Sequence, residues 1–330
     1  KNFYGTDTFK LEVTDGVYKK TVDVRVTVNG QLDEGEPITR MMPGYGHSTM
    51  YANAVQGQAI KVWGSVMEGQ EPYQYVLDFG DGTSVSGSVT NPKYIGADHV
   101  YTTSGLKEAT LQITDAAGSV SNASTLIRVF FADEISLDEK RNMAFEKGLL
   151  YLYLKAVEDG RMDGLKWYNS SNSNLHTVAT TGMSLMAFTD FGHTANTPTN
   201  IHTYGDVVRK ALRFLVAHEN AGTMAIPDHS DGVAVRQSDN PLGKNPGKGA
   251  YLLKTGGHDS YSNSIAVMAL FTAFPKGQGA ESATVTHGPF AGWNYKELAE
   301  ELIELLIWSQ GDGSKRGGWE YYLTQNQRRH

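Results

Sequence analysis

At residues 75–83 the chain reads Tyr75-Val76-Leu77-Asp78-Phe79-Gly80-Asp81-Gly82-Thr83, and this stretch decides how the N-terminal part is expected to fold. From Phe79 onward a strand ends in a tight turn, because glycine adopts the positive φ angles that such turns require. The Asp81 carboxylate, between the two glycines, can accept hydrogen bonds from the backbone of its own turn. The stretch therefore predicts a β-strand that runs directly into a short turn.

Further runs on both sides of this stretch also have the character of short strands. Turn residues separate them at regular intervals along the chain. Regular spacing of this kind is typical of a sandwich of two antiparallel sheets. The predicted strands cover residues 58–68, 73–79, 84–89, 107–114 and 119–130.

Three later motifs indicate which kind of sandwich this is. They are His99-Val100-Tyr101, Ser104-Gly105 and Leu111-Gln112-Ile113-Thr114-Asp115-Ala116-Ala117-Gly118. Together with the turn stretch they resemble a PKD-type (polycystic kidney disease) domain over residues 52–131. The resemblance implies a seven-stranded immunoglobulin-like sandwich in an extracellular setting, as a spacer or adhesion unit. We expect His99 and Tyr101 to pack against the glycine turn that follows them, at Ser104-Gly105.

The carboxylates of this module allow two interpretations. Asp78, Asp81 and Asp115 all lie next to predicted turns. Carboxylates at such positions cap the backbone N–H groups of the turn. Oxygen ligands are also what Ca²⁺ prefers, so a calcium site is the alternative. No other cofactor is required by the motifs.

The first 29 residues predict a β-hairpin, and the residues after them a linker. Apolar residues alternate on both sides of Thr14-Asp15-Gly16, and an Asp-Gly turn between alternating runs is typical of a hairpin. Residues 1–29 resemble the last two strands of bacterial cadherin-like tandem repeats, which implies that earlier repeats precede this piece of chain. Residues 30–51 are polar and rich in turn residues, so we interpret them as a linker.

After Phe131 the apolar residues follow a helical periodicity. Ser136 and Glu139 have the spacing of a capping box, which predicts the start of a helix. The predicted helices cover residues 137–158, 175–191, 204–219, 261–274 and 294–310. In the last of them we expect the leucines to face a core and the acidic residues to form a solvated face. Those acidic residues are Glu297, Glu300, Glu301 and Glu304.

The helical part, residues 132–330, resembles the α/α-toroid superfamily that holds prenyltransferases and squalene–hopene cyclases. The resemblance lies in residues 147–152, in residues 180–188 and in Gln310 with Gly317-Gly318-Trp319. Similar segments recur within the chain, as in an array of helical hairpins with variable loops. A complete toroid has more helices than the sequence predicts here. We therefore expect an incomplete toroid or an open array.

The catalytic motifs of that superfamily are missing from the sequence. There is no Asp-x-Asp-Asp acid of the terpene cyclases, and no cysteine for a prenyltransferase zinc site or a complement-type thioester. A different acid–base or metal site could be built from loop residues, since α/α-toroid polysaccharide lyases use Tyr and His in this way. The candidates are Asp228, His229, Asp231, His258 and Tyr261. The alternative is that these residues are polar groups of solvent-exposed, glycine-rich loops.

The tryptophans of the helical part also allow two interpretations. Trp167, Trp293 and Trp319 could line a surface that stacks on sugars, or they could pack helix ends. The formal net charge of −7 argues against a nucleic-acid partner, which requires a basic face. No run of about 18 apolar residues occurs, so no membrane span is predicted.

Together these features favour a non-enzymatic segment of a large secreted or cell-surface protein. The β-modules would act as a stalk and the helical part as an adhesion or assembly unit. Its partners would be other domains of the same longer chain, neighbouring copies or surface proteins, or glycans. The alternative is an extracellular polysaccharide-acting enzyme, or a glycan-binding protein, that uses the toroid-like part.

Overall fold

The structure is a computed structural model of the 330-residue chain. It describes residues 5–14, 19–28, 35–42, 51–159, 163–168, 176–197, 203–225, 248–252, 259–274, 279 and 283–309. The chain divides into two compact units. One consists of residues 1–42 and 54–134, and the other of residues 43–53 and 135–330.

The predicted N-terminal hairpin is confirmed. Strands β1 (Gly5–Thr14) and β2 (Lys19–Val28) pair antiparallel, with Gly5 opposite Val28 and Thr14 opposite Lys19. Near the turn, Lys19 forms an exposed ion pair of 2.8 Å with Glu12. The turn residues Asp15 and Gly16 lie outside the described residues. Among the residues that are described, the two strands form a sheet of their own.

The sandwich consists of one five-stranded and one three-stranded sheet. Its strands are β3 (Ile38–Met41), β4 (Tyr51–Val55), β5 (Ala59–Met67), β6 (Tyr73–Asp78), β7 (Ser84–Val89), β8 (Ile95–Val100), β9 (Gly105–Thr114) and β10 (Val120–Phe130). The strand orders are β4-β10-β9-β6-β7 and β3-β5-β8. The described sandwich therefore has eight strands, one more than the family resemblance implies.

Alternate side chains of both sheets meet in the core of the sandwich, as the period of two in a strand requires. Along β6 and its turn the inward positions are Tyr73, Leu77 and Phe79, all buried, with the half-buried Tyr75 between them. The largest side chains that are completely buried in this core are Trp63, Leu77, Ile95, Tyr101, Leu111, Ile113 and Ile127. Every second side chain of β6 thus contributes to the core.

The linker interpretation of residues 30–51 is wrong for residues 37–42. This segment contains β3, which pairs with β5 from Ile38 opposite Met67 to Met41 opposite Gly64. The N–H of Met42 continues the pairing with a 2.8 Å bond to the carbonyl of Trp63. The strand is buried throughout because its partner comes from a distant part of the sequence, which local composition does not reveal.

The second unit is helical, with short hairpins between its helices. Its elements are α1 (Leu137–Lys155), β11 (Val157–Asp159), β12 (Gly164–Lys166), α2 (Thr177–Asp190), α3 (Thr203–Leu215), β13 (Ala221–Ala225), β14 (Lys248–Leu252), α4 (Asp259–Ala273) and α5 (Tyr295–Trp308). All five predicted helices are present, whereas the two antiparallel hairpins were not predicted. Within the described residues, no helix has both the length and the apolar character needed to cross a membrane.

Two capping boxes define helix starts in this unit. At α1, Glu139 N–H donates to Ser136 Oγ at 3.2 Å and Ser136 N–H donates to Glu139 Oε2 at 2.9 Å, which confirms the predicted box. At α5, Asn294 and Glu297 form the same pair of bonds, at 2.8 and 2.9 Å. Each box satisfies backbone donors that a helix N-terminus would otherwise leave unpaired.

The predicted solvated face of the last helix is wrong at two of its four positions. Glu301 and Glu304 are buried, whereas Glu297 caps the helix and Glu300 is half-buried. The reason is that α5 packs against both α4 and β14. A helix that is covered on two sides also buries the positions that flank its leucine stripe.

The β6–β7 turn allows a direct test of the packing against β9. Gly80 has φ +76°, and a Cβ atom there would lie 2.4 Å from the carbonyl oxygen of Glu108. We expect Gly80→Ala to lower the free energy of unfolding by about 2 to 4 kcal/mol, measured by urea denaturation. The matched control is Gly82→Ala, where φ is +90° but nothing lies within 4 Å. That variant is expected to lose only about 1 kcal/mol, from its backbone angle alone. Equal losses at the two positions would contradict the close approach of the turn to β9.

Candidate functional site

A cluster of polar and aromatic side chains surrounds the Phe79–Thr83 turn. The His99 ring stacks on Phe79 with 4.0 Å between ring centroids and 4° between planes. Tyr101 meets His99 edge-on at 4.5 Å, and its hydroxyl donates to the Phe79 carbonyl at 2.9 Å. His99 Nε2 lies 2.7 Å from Asp81 Oδ2. His99 and Tyr101 therefore pack against the Phe79–Thr83 turn. The expected packing against the turn that follows them, at Ser104-Gly105, stays a prediction.

The two aspartates of this turn bind its backbone, as the turn-cap interpretation expects. Asp78 Oδ1 accepts the Gly80 N–H at 2.7 Å. Asp81 Oδ1 accepts the N–H and the hydroxyl of Thr83 at 3.1 and 2.6 Å. Burial of the Asp81 carboxyl would raise its pKa, but the hydrogen bonds from Thr83 and His99 outweigh it and hold the pKa of Asp81 below its ordinary value.

Asp115 caps the turn between β9 and β10. Its Oδ2 accepts the Gln70 N–H at 3.0 Å and its Oδ1 accepts the Ser119 N–H at 2.8 Å. Burial would again raise the pKa of this carboxyl, and the backbone N–H donors lower it by more, so the pKa of Asp115 lies below its ordinary value. Asp115 thereby joins the β9–β10 turn to the segment that precedes β6.

The three aspartates do not meet in one place. Asp78 stands opposite Thr110 on β9, whereas Asp115 directly follows Thr114, which stands opposite Gln74. Four residues along a strand span about 13 Å, so Asp115 lies near the other end of the paired stretch. Among the described residues, no three His, Asp or Glu side chains are grouped so that they could hold a metal ion. Calcium binding stays a prediction.

Of the acid–base candidates in the helical part, Tyr261 alone is among the described residues. Asp228, His229, Asp231 and His258 lie outside the described residues. Tyr261 lies in the first turn of α4, with 58% of its surface exposed. A catalytic or metal-binding role of this group stays a prediction.

Trp167 is part of the core of the helical unit. Only 4% of it is exposed, and its indole Nε1 donates to the Leu152 carbonyl at 2.8 Å. Its backbone N–H donates to Thr181 Oγ1 at 3.2 Å, and its carbonyl accepts the Thr180 hydroxyl at 2.5 Å. Trp167 thus ties the end of β12 to α1 and α2.

The prediction that Trp167 stacks on sugars is therefore wrong, because neither face of a buried indole is accessible to a ligand. Trp293 is half-buried and packs against Phe290, with 5.1 Å between ring centroids. Its role in ligand stacking stays a prediction. Trp319 lies outside the described residues.

A group of charged side chains that was not predicted from the sequence holds β11 and β12 against α3. Lys210 lies 2.9 Å from Asp163, 3.5 Å from Glu158 and 3.9 Å from Asp206. Arg213 also pairs with Asp163. Burial would lower the pKa of Lys210, but the surrounding carboxylates raise it above its ordinary value. The one signal in the sequence is the four-residue spacing of Asp206 and Lys210 on a helix.

Glu146 is a second residue that the sequence analysis missed. It is buried on the face of α1 that also carries Leu149, Leu150 and Tyr153, and burial raises its pKa to about 8. The carboxyl is therefore mostly protonated at neutral pH. The signal was present in the sequence, since Glu146 precedes Leu149 by three residues and Tyr153 by seven.

The sandwich is identified as a PKD domain by its match to the sequence model of that family. Residues 48–129 match the sequence model of the PKD domain family. No curated protein matches the chain.

Solved structures that are similar to the chain include two PKD domains. One, from an M14-like peptidase of a Thermoplasmatales archaeon, is 12% identical, with 28% of this chain and 92% of that chain covered and a TM-score of 0.23. The other, from Vibrio anguillarum Epp, is 16% identical, with 29% and 95% covered and a TM-score of 0.21. The fibronectin(III)-like modules of Clostridium thermocellum CbhA are 18% identical, with 30% and 99% covered and a TM-score of 0.24.

The family match covers the sandwich alone. It does not extend to the N-terminal hairpin or to the helical unit. The cadherin-like interpretation of residues 1–29 and the toroid-like interpretation of residues 132–330 therefore stay predictions.

The contribution of Asp81 to stability is expected to depend on pH. The pKa of its carboxyl is lower in the folded chain, so its stabilising effect is present above the unfolded pKa of about 3.9 and is lost as the pH falls through the folded value. We expect Asp81→Asn to lower the free energy of unfolding by about 1 kcal/mol at pH 7, and by progressively less below pH 4. Urea denaturation at a series of pH values measures both. The control is Asp98→Asn, which removes an exposed pair with Lys61 and is expected to change stability by less than about 0.5 kcal/mol. A loss at Asp81 that stays constant at acid pH would contradict this account.

Trp167→Phe tests the structural role of the indole. The variant keeps a ring in the core but removes the indole N–H bond to the Leu152 carbonyl, which retains the Ala156 N–H at 3.0 Å, so we expect the helical unit to lose about 1 kcal/mol of stability. The measurement is denaturation followed by circular dichroism at a helix wavelength. Tyr151→Phe, at an exposed position on α1, is the control, with an expected change below about 0.5 kcal/mol. An unchanged midpoint for Trp167→Phe would show that the indole N–H does not stabilise the fold.

Proposed function

We propose that this chain is a non-enzymatic segment of an extracellular or cell-surface protein, in which the PKD sandwich is a structural spacer and the helical unit serves adhesion or assembly. The observation that carries the proposal is the path of the chain through the sandwich. The polypeptide enters at one end of the strands and leaves at the other. Modules with this geometry can be joined end to end into a stalk.

The ends of β5 show where the chain enters and leaves. On the entry side, Ile38 stands opposite Met67, and Gly35 N–H donates to Glu68 Oε2 at 3.3 Å. On the exit side, the carbonyl of Phe130 accepts the Gln56 N–H at 2.9 Å, three residues before β5 begins at Ala59. The nine residues of β5 span about 25 Å, which separates entry from exit by the length of the strand.

This geometry determines how tension would load the sandwich. A pull on both ends would act along β3 and β10, whose hydrogen bonds to neighbouring strands lie perpendicular to the strand direction. Those bonds are then loaded together rather than one after another. A side-chain link reinforces the arrangement, because Thr39 N–H donates to Ser121 Oγ at 3.1 Å and the two hydroxyls also hydrogen-bond each other. The entry strand is thereby tied to the exit strand.

The family match supports the proposed setting. PKD domains are typically extracellular modules, and residues 48–129 match this family. The spacer would connect other domains of the same longer chain. The helical unit would contact neighbouring copies, surface proteins or glycans.

Ser121→Ala tests whether the link between β3 and β10 helps the sandwich to resist tension. The variant removes the link between β3 and β10, so we expect a lower unfolding force for the sandwich and a loss of about 1 kcal/mol in its free energy of unfolding. Single-molecule force spectroscopy on the full chain, held at its two ends, measures the force.

The matched control is Asn122→Ala, at the adjacent exposed position of β10. We expect it to leave the unfolding force unchanged. A sandwich that opens strand by strand at very low force, with or without Ser121, would contradict the spacer role. Turnover of a polysaccharide by the purified chain would contradict the non-enzymatic assignment.

A further inference from the structure

The sandwich has four edge strands, and one of them lacks the usual protection. They are β4 and β7 in the five-stranded sheet and β3 and β8 in the three-stranded sheet. β3 is buried throughout and β4 nearly so, while β8 carries the Asp98–Lys61 ion pair. β7, Ser84-Val85-Ser86-Gly87-Ser88-Val89, contains no charge and no proline and is exposed at alternate residues. An exposed, uncharged edge is a template for pairing with another strand.

The backbone groups that β7 presents outward can be read from the register. Phe79 N–H donates to the Thr83 carbonyl at 3.0 Å, so these two residues form a hydrogen-bonded pair. Hydrogen-bonded pairs alternate in an antiparallel ladder, so Val85, Gly87 and Val89 also bond to β6. The N–H and C=O groups of Ser84, Ser86 and Ser88 therefore point away from β6. In the described part of the chain β7 has a strand neighbour on that one side.

The sequence of this edge is symmetric about Gly87. Ser86 and Ser88 flank the glycine, Val85 and Val89 lie next, and Ser84 and Thr90 follow. We propose that β7 is a self-association edge, at which two copies of this chain pair antiparallel with their Gly87 residues on the two-fold axis. The interface is isologous, as in most homodimers, and joins the two five-stranded sheets into one continuous sheet.

The residues of the edge match what this pairing requires. The two Gly87 residues would form the narrow, non-hydrogen-bonded pair, in which Cα atoms approach to about 4.5 Å. Ser86 of each copy would exchange hydrogen bonds with Ser88 of the other, with their small side chains on the solvent face. Val85 would stand opposite Val89 on the core face, a favourable pair of β-branched side chains. No like charges meet at any position of the strand.

Tyr75 explains why the centre of this edge is a glycine. A Cβ atom at Gly87 would lie 3.0 to 3.2 Å from atoms of the Tyr75 ring, which covers the glycine on the core side. In each copy the ring takes the space that a side chain at position 87 would need, and this space lies next to the two-fold axis. Gly87 therefore carries no side chain at the point where the two backbones must come closest.

This inference goes beyond the proposed function, which assigns assembly to the helical unit, because it gives the sandwich itself a second copy of the chain as a partner. The spacer role requires no partner. The test is sedimentation equilibrium of the full 330-residue chain. The average mass is expected to rise from 36.1 kDa toward twice that value as the concentration increases. A mass of one chain at every concentration would overturn the proposal. If the force measurements on Ser121→Ala still behave as expected, the spacer role stands and the pairing alone is wrong.

Ser86→Pro is the first test variant. It removes an N–H that points to the open edge and leaves the β6–β7 ladder intact, and proline is tolerated at such edge positions. The dimer loses two hydrogen bonds, so its dissociation constant is expected to rise about tenfold or more, with the melting temperature close to that of the original chain. Ser86→Thr keeps the N–H and is the matched control, expected to dimerise normally. An unchanged mass distribution for Ser86→Pro would overturn the proposal.

A charge exchange tests the register and does not depend on proline. The double variant Ser86→Lys with Ser88→Lys places lysines opposite lysines across the two-fold axis, and Ser86→Glu with Ser88→Glu does the same with carboxylates. Each double variant alone is expected to be monomeric, and an equal mixture is expected to form dimers that contain one copy of each. A mixture that remains monomeric, or a lysine variant that dimerises alone, would overturn this register.

Discussion

The sandwich depends on the contact between the β6–β7 turn and the backbone of β9. Gly80 lies so close to the backbone of Glu108 that no side chain fits between them. The hydroxyl of the buried Tyr101, which directly follows β8 of the other sheet, donates a hydrogen bond to the carbonyl of Phe79. These two contacts fix the position of β6 along β9. A shift by a single residue would turn Leu77 and its inward neighbours to the solvent face. The stacked His99, the capped aspartates and the register of the exposed edge strand all follow from this one position.

The parts of the sandwich that the sequence predicts are those in which local and tertiary preferences agree. Five strands lie between turn residues and are found within two residues of their expected ends: β5, β6, β7, β9 and β10. β8 was missed because Gly96 and Asp98 disfavour a strand locally. Gly96 is nevertheless required there, since a Cβ atom would lie 2.6 Å from that of Trp63. β3 was missed because its partner residues, such as Met67, lie far along the chain.

In the candidate site, too, the features that local sequence determines were predicted and those that depend on distant residues were not. Asp81 and its turn could be predicted because the capping bonds are local. The contacts of His99 and Tyr101 with this turn were not predicted, because they join residues that are far apart in the sequence. In the helical unit, periodicity shows which face of a helix is apolar but not how many of its sides are covered. For that reason the burial of Glu301 was not foreseen, although the helix itself was. The burial of Trp167 was not predicted because its partners, Leu152 and Thr181, lie on α1 and α2, and the residues next to Trp167 in the sequence do not identify these partners.

The proposed spacer role loads the sandwich along its strands, whereas the proposed self-association acts perpendicular to them. Tension between the ends would run along the strands, through β3 and β10, whereas pairing at β7 would use hydrogen bonds that point sideways out of the sheet. β7 lies three strands away from β10, at the far side of the five-stranded sheet, and it carries neither chain end. A partner bound there would leave the entry and exit of the chain free. Because the load path and the open edge do not overlap, stalks built from this module could associate laterally without weakening the bonds that resist extension.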